Sequence, residues 1–319
     1  MKKTEPLSLE GIKTYSLKER HSKVSHQDFG RPWEVGGSLR EFVARLPAIL
    51  AGTDFREVVA AWVRAHRGGH QVVLGMGAHP LKVGLSPILV DLLTKNLLTG
   101  VAVNGAGIIH DAEIAMVGAT SEDVDQDLGC GRFGMARETA EFLNAAISWG
   151  AKEGLGLGEA VGRRLLAADF PYKHLSLLAA AAELQVPLTV HVAVGTDIIH
   201  LHPSMDPQAL GETTHRDFRL FAALVSQLEE GVYLNLGSAV IMPEVFLKAI
   251  TLARNLGHQV APLTTVNLDF IQHYRTMTNV VRRPTAGTGK GYALTGHHEL
   301  LFPLLAAAVV EELENPHAH

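Results

Sequence analysis

The chain has one cysteine in 319 residues, Cys130. A single thiol closes no intrachain disulfide and builds no multi-cysteine zinc or iron–sulfur site, and it fits a reducing, cytoplasmic setting. Excess positive charge is also lacking: the formal net charge is -5 and the pI is near 6.4. Without a basic footprint to neutralise a phosphate backbone, sequence-independent binding to nucleic acid is not expected. No uninterrupted apolar run approaches the length of a membrane span, and the opening MKKTEPLSLEGIKTYSLKERHSKV lacks the apolar centre of a secretion signal. No membrane partner is expected.

Apolar residues, by contrast, make up 47% of the chain against 19% charged, which supports a substantial core. Residues 1–38 mix charge, Gly, Pro and Ser without a period and read as an N-terminal arm that needs something to pack against. Residues 39–319 read as a single domain. Ser38 before LREFVARLPAILAG and Thr53 before DFREVVAAWVRAHRGG are the expected N-caps of two helices, the second stopped by Gly68 and Gly69.

From there a phrase repeats: a short β-branched run, small residues, then helical periodicity. QVVLGMG, GVAVNGAG, VPLTVHVAVG, GVYLNLGSA and HQVAPLTTVN supply the strands. Strands alternating with helices imply parallel pairing through right-handed crossovers, hence an α/β fold with a doubly wound, Rossmann-like parallel sheet and helices on both faces. Two stretches break the rhythm: GATSEDVDQDLGCGRFG, which is acidic and glycine-rich, and RRPTAGTGKGYALTGHH, which is glycine-rich and basic at its start and whose AGTGKG reads as a flexible lid with Lys290 a potential anion contact. The last helix, ELLFPLLAAAVVEEL, is apolar enough to be buried, with another subunit one candidate surface.

In such a sheet ligands bind beyond the carboxyl ends of the strands. GMGAHP and GAGIIHD each begin like the dinucleotide fingerprint and lack its third glycine. Either a phosphate approaches their backbone closely or they are tight strand-to-helix turns. AGTGKG is not a triphosphate loop, because Pro284 stands where its first glycine belongs and Gly291 follows Lys290. HVAVGTDIIHLHP gathers His191, Asp197, His200 and His202. No metal-binding spacing such as HExxH accompanies them, so they are read as proton-transfer or hydrogen-bonding groups and no metal ligand is assigned. Asp111 fits both a ribose-hydroxyl acceptor and a helix N-cap.

Taken in order, from about Gly75 to Glu312, these segments resemble deoxyhypusine synthase. AVNGAGIIHDAEI is similar to that family's TTAGGVEEDLI, GCGRFGM to its Asn-Arg-Ile-Gly segment, and GTDIIHLHP to its Gly-Asp-Met-(Ile/Leu)-aromatic-Phe-His-Ser segment. HELLFPLLAA, preceded by the ARP-like RRP, looks like its closing SLVFPLLVAE. The resemblance implies NAD as cofactor, contacted by Gly75, Gly77, Gly105, Ala106, Gly107, Asp111, Asn267 and Asp269, and a homotetramer with sites between subunits. It also implies a lysine, in the turn LGGG-x-x-Lys, that carries the transferred aminobutyl group as an imine. Here LGSAVIM puts Met242 at that place. A thioether cannot form an imine, so a genuine deoxyhypusine synthase is not expected.

The leading expectation is therefore a deoxyhypusine synthase-like, NAD-binding oxidoreductase or transferase acting on a small amine or polyol. His202 or His191 is its general base, and Asp197 orients the substrate. Two other readings stand beside it: a non-catalytic NAD or nucleotide sensor or scaffold, and a metal-dependent hydrolase or lyase built on His191, His200, His202 and Asp197.

Overall fold

Short runs rich in Val, Leu and Thr form the strands: β1 Val72–Met76, β2 Gly100–Asn104, β3 Leu188–His191, β4 Val232–Leu236, β5 Thr264–Asp269 and β6 Lys290–Thr295. In the computed structural model, which describes residues 4–314, they form one six-stranded sheet in the order β3-β2-β1-β4-β5-β6. Every neighbouring pair is parallel. The first three residues of the arm and the last five of the domain lie outside the described residues.

Parallel neighbours cannot be joined by hairpins, and helices supply the crossovers. The helices are α1 Leu39–Arg45 and α2 Ala51–Arg67 before β1, the crossover helices α3 His79–Lys82, α4 Ser86–Thr94, α5 Gly105–Val117, α6 Val124–Asp127, α7 Arg137–Glu153, α8 Leu157–Ala167, α9 Leu177–Glu183, α10 Pro207–Ser226, α11 Ile241–Asn255 and α12 Tyr274–Thr276, and α13 His298–Glu314 after β6. The strands' two-residue period sends alternate side chains to opposite faces. Val72, Leu74, Met76, Val101 and Val103 join the core shared with α2, α4, α5, α8, α9 and α13. Val73, Ala102 and Tyr233 join the core shared with α10 and α11. The doubly wound architecture expected from the alternating phrases is the one that forms, and its strand order reverses between β1 and β4.

Several local expectations are corrected. α1 ends at Arg45 because Leu46 precedes Pro47, and a residue before proline is pushed out of the helical region. α2 starts at Ala51, so Thr53 lies in its first turn rather than at its cap. The second half of RRPTAGTGKGYALTGHH is the edge strand β6, which takes Lys290 and Gly291 from the expected AGTGKG lid and leaves 286–289 as a turn. Its Lys290–Gly291 start has little β propensity, yet pairing with β5 overrides it, and the missing side chain of Gly291 makes room for the Val281 carbonyl. Lys290 lies 3.5 Å from Glu57 in an exposed ion pair. α13 buries Phe302, Leu305 and Val309 within the chain's own core, beside α1 and α2. GATSEDVDQDLGCGRFG stays a loop apart from the single turn of α6.

Asp217 on α10 is fully buried and accepts the N–H groups of Gly158 at 2.8 Å and Val190 at 2.7 Å, tying α8 and β3 to α10. Burial, against the pull of those N–H groups, pushes its carboxyl up from 3.8 to about 7. Burial likewise raises Asp111 and Asp197, each to about 6. A carboxyl whose pKa is higher folded than unfolded binds its proton more tightly in the native state. The stability this confers is complete below about pH 4 and is lost as pH rises through 6 to 7. We expect Asp217→Asn, which keeps an acceptor and removes the charge, to flatten the fall of the unfolding midpoint between pH 5 and pH 8. An unchanged slope, measured by calorimetry, would contradict the buried-acid assignment.

Candidate functional site

The carboxyl ends of β1, β2, β4 and β5 open onto one edge, and only some of the expected site residues reach it. Gly75 lies mid-strand, and a side chain there would meet the Tyr233 hydroxyl at 2.1 Å, so this glycine serves packing. Gly107 sits over Val103 and gives its N–H to Asn104, the N-cap of α5. Asp111 faces away from the edge: one carboxylate oxygen accepts the Leu177 N–H at 2.7 Å, and the other accepts from the Ser176 hydroxyl at 2.5 Å and the Leu178 N–H at 3.2 Å. Asp111 is not an N-cap residue: it lies inside α5, whose N-cap is Asn104, and its carboxylate instead accepts the first N–H groups of α9, whose own N-cap is Ser176. Asn267 is buried in a side-chain ladder with Asn235 and Gln272.

The proton-transfer residues also separate. His191, at the end of β3, is buried edge-on against Phe221, with Nε2 3.0 Å from the Thr189 hydroxyl. Burial pulls its pKa down to about 3. His202 lies beyond the 3-10 turn Ile198–Leu201 and spends Nδ1 on Ser204, at 2.7 Å from its hydroxyl. Among the described residues no three His, Cys, Asp or Glu side chains converge to hold a metal ion, and the His191, His200, His202, Asp197 set does not meet. Gly77, Gly105, Ala106, Asp197 and Asp269 do lie at the edge.

Two clusters occupy that edge. The first is at the point where strand order reverses. Gly77 and Gly237 end β1 and β4 and touch, a side chain on Gly77 meeting the Gly237 carbonyl at 2.3 Å. Above Gly237 lies the ring of His298, the first residue of α13, 98% buried, with Nε2 3.6 Å from Asp269 Oδ1. That separation is too long for a direct hydrogen bond, and both ring nitrogens of His298 lack a partner. Burial raises the Asp269 carboxyl, but the adjacent His298 and the Phe270 and Ile271 N–H groups outweigh it and leave its pKa below the ordinary value. His79 packs edge-on to His298 at 5.3 Å. Burial, His298 and Lys82 hold its pKa down.

The second is a cavity of about 210 Å3 between α3, α5 and the acidic segment 118–134, with Lys82, His110, Glu113, Glu122, Phe133 and Asp197 among its walls. Asp197 rests against Gly105, where a side chain would meet its Oδ2 at 2.0 Å. That oxygen is buried and unpartnered, and His200 Nε2, also unpartnered, is 4.0 Å away. On another wall His110 Nδ1 is 2.6 Å from the Thr120 hydroxyl, which is 2.5 Å from Glu113 Oε2. Burial, then Lys82, lowers the His110 pKa to about 4. Sequence reasoning passed over His79 and His298, and His298 was findable. It follows β6, but that strand was hidden inside a segment read as a lid.

Met242 lies in the interior, packed in the core that holds Tyr233 and Phe246. The turn after β4 is thus followed by a fully buried apolar residue. Lys248 is exposed and paired with Glu244, so it does not stand in for a buried lysine.

No protein-family model matches the sequence, and no curated protein matches it. Solved structures do share its fold. A "putative deoxyhypusine synthase" from Entamoeba histolytica superimposes with a TM-score of 0.53 at 13% identity, over 88% of this chain and 96% of that one. The chain is a distant structural relative of that protein. AgrE, solved as a ternary complex with ornithine and NAD+, matches with a TM-score of 0.52 at 14% identity over 82% of this chain. The cyanobacterial arginine dihydrolase ArgZ matches at 0.50 and 13% over 82%. This chain spans 34% of AgrE and 32% of ArgZ, about a third of either. The deoxyhypusine synthase-like, Rossmann-like fold is shared, and among the described residues no helix is long and apolar enough to cross a membrane.

Proposed function

We propose that this chain is an NAD-binding oxidoreductase acting on a small polar substrate with an amine or hydroxyl group, and not a deoxyhypusine synthase. The observation that carries the reading is His298: a buried ring whose nitrogens make no direct hydrogen bond and whose Nε2 only approaches Asp269, at 3.6 Å, where the strand order reverses. A buried imidazole without a direct hydrogen bond costs about 1–3 kcal/mol, which a polar ligand at this point would offset. Dinucleotides bind in this fold class at such a reversal. Gly77, Ala106, Asp269 and His298 are the residues that would hold NAD, with Asp269 suited to ribose hydroxyls. When bound, NAD supplies the acceptor for the hydride that leaves the substrate's C–H bond.

The cavity beside it is smaller than the roughly 300–1,000 Å3 of pockets that enclose drug-sized ligands, so it suits a compact substrate. Its carboxylates, Glu113, Glu122 and Asp197, outnumber the one cation, Lys82, and favour an amine over an acid. Such a cavity and the cluster near it leave much of a dinucleotide outside one chain, which fits sites completed by a second copy. The arm supports the same assembly: Leu7, Leu9, Ile12, Tyr15, Leu17 and Val35 are all exposed. Screening small amines and polyols with NAD, read by NADH absorbance, is expected to find turnover among the amines. No turnover in the whole panel, with NAD bound, would favour the non-catalytic sensor.

A further inference from the structure

We propose that His110 is the catalytic base of this site and that Thr120 and Glu113 form the relay that carries its proton away. This rests on the oxidoreductase reading and supplies the base that His191 and His202, by their positions, do not.

His110 and Glu113 are one turn apart on α5, and Thr120 reaches between them from the segment that roofs the cavity. Glu113 is fixed from the far side, its Oε1 accepting from the Thr139 hydroxyl at 3.1 Å. A carboxylate can only accept, so the Thr120 hydroxyl, with its single proton, donates to Glu113. Thr120 Oγ then accepts, and His110 must present Nδ1–H to it. The neutral tautomer is thereby set, and Nε2 is left as a lone-pair acceptor, without a hydrogen bond among the described residues, on a ring that lines the cavity. The low basicity of the buried ring argues that an isolated imidazolium is not formed. A relay ending on a carboxylate avoids one.

The proton inventory balances. The substrate O–H or N–H proton passes to His110 Nε2, the Nδ1 proton to Thr120 Oγ, and the Thr120 proton to Glu113 Oε2. The electron pair of the broken O–H or N–H bond forms the C=O or C=N bond as the C–H bond breaks toward the acceptor already named. His110 ends as the other neutral tautomer, Thr120 as a hydroxyl and Glu113 as a carboxylic acid. Glu113 is part-exposed and can return its proton to water.

Nitrogen-15 spectra of histidine-labelled protein test the tautomer without any turnover. The expected result is Nδ1–H for His110 at pH 7 in the wild type, with loss of that preference in Thr120→Val and its return in Thr120→Ser. Nε2–H in the wild type would overturn the relay. With an active substrate in hand, His110→Ala should lower kcat about 100-fold or more, the usual range for a lost general base, and leave NAD affinity within about twofold. Thr120→Val should lower kcat about tenfold with KM little changed. Wild-type turnover that survives in His110→Ala removes His110 alone. A wild type without turnover or NAD binding removes the proposed function and the role of His110 together.

Discussion

His298→Ala is expected to weaken the proposed NAD binding by about 10- to 100-fold. The loss corresponds to one hydrogen bond with a charged or strongly polarised group, about 1.5–3 kcal/mol. His298 stands at the strand reversal with neither nitrogen satisfied by the protein, and the Asp269 carboxylate beside it favours a proton on the facing nitrogen. Asp269→Asn should weaken binding less, because the amide keeps an acceptor oxygen while losing its charge. Removing the imidazole also opens space above Gly237, whose left-handed backbone (φ +61°) packs directly beneath it. Unfolding midpoints must therefore be measured beside affinity. A binding loss with an unshifted midpoint assigns His298 to the ligand, whereas full affinity in the variant would remove it from the site.

Asp111→Ala is expected to be the most damaging single change to the fold. Three donors end on this carboxylate, the Ser176 hydroxyl and the N–H groups of Leu177 and Leu178, and all are buried. Each donor stranded without water costs about 1–3 kcal/mol, so a total near 4 kcal/mol and a midpoint lower by roughly 5–10 °C are expected. The deficit should be larger at pH 5 than at pH 8. The wild-type carboxyl, raised to about 6 by burial, holds its proton in the folded state at pH 5 and bears a buried charge at pH 8. A deficit that grew with pH would contradict this.

The same residue marks how far the sequence could be read. The α/β alternation and five of the strands were legible because their β-branched runs and the helices after them are regular. Asp111 reads in the sequence as a helix N-cap and is instead an α5 residue whose carboxylate holds the start of α9, beginning with Ser176 some 65 residues away in sequence. A hydrogen bond across the fold leaves no local pattern. β6 was hidden because Lys290 and Gly291 open it and only the ladder with β5 makes it a strand. Once it was hidden, His298 could not be placed at a strand end. The histidines nearest a strand in the sequence drew attention instead, and His191 obeyed the two-residue alternation that turns it into the α10 side of the core. Met242 was legible as the loss of imine chemistry. Its packing beside Phe246 explains why the position tolerates an apolar side chain.

In the proposed function the strand reversal beside Asp269 and His298 holds NAD. Calorimetric titration of cofactor-stripped protein with NAD, with NADH and adenosine diphosphate ribose as comparisons, tests it most directly. The expected result is micromolar binding that is stronger for the intact dinucleotides than for adenosine diphosphate ribose. No heat of binding up to millimolar NAD would contradict it, and would leave a dinucleotide-type fold that has lost its dinucleotide.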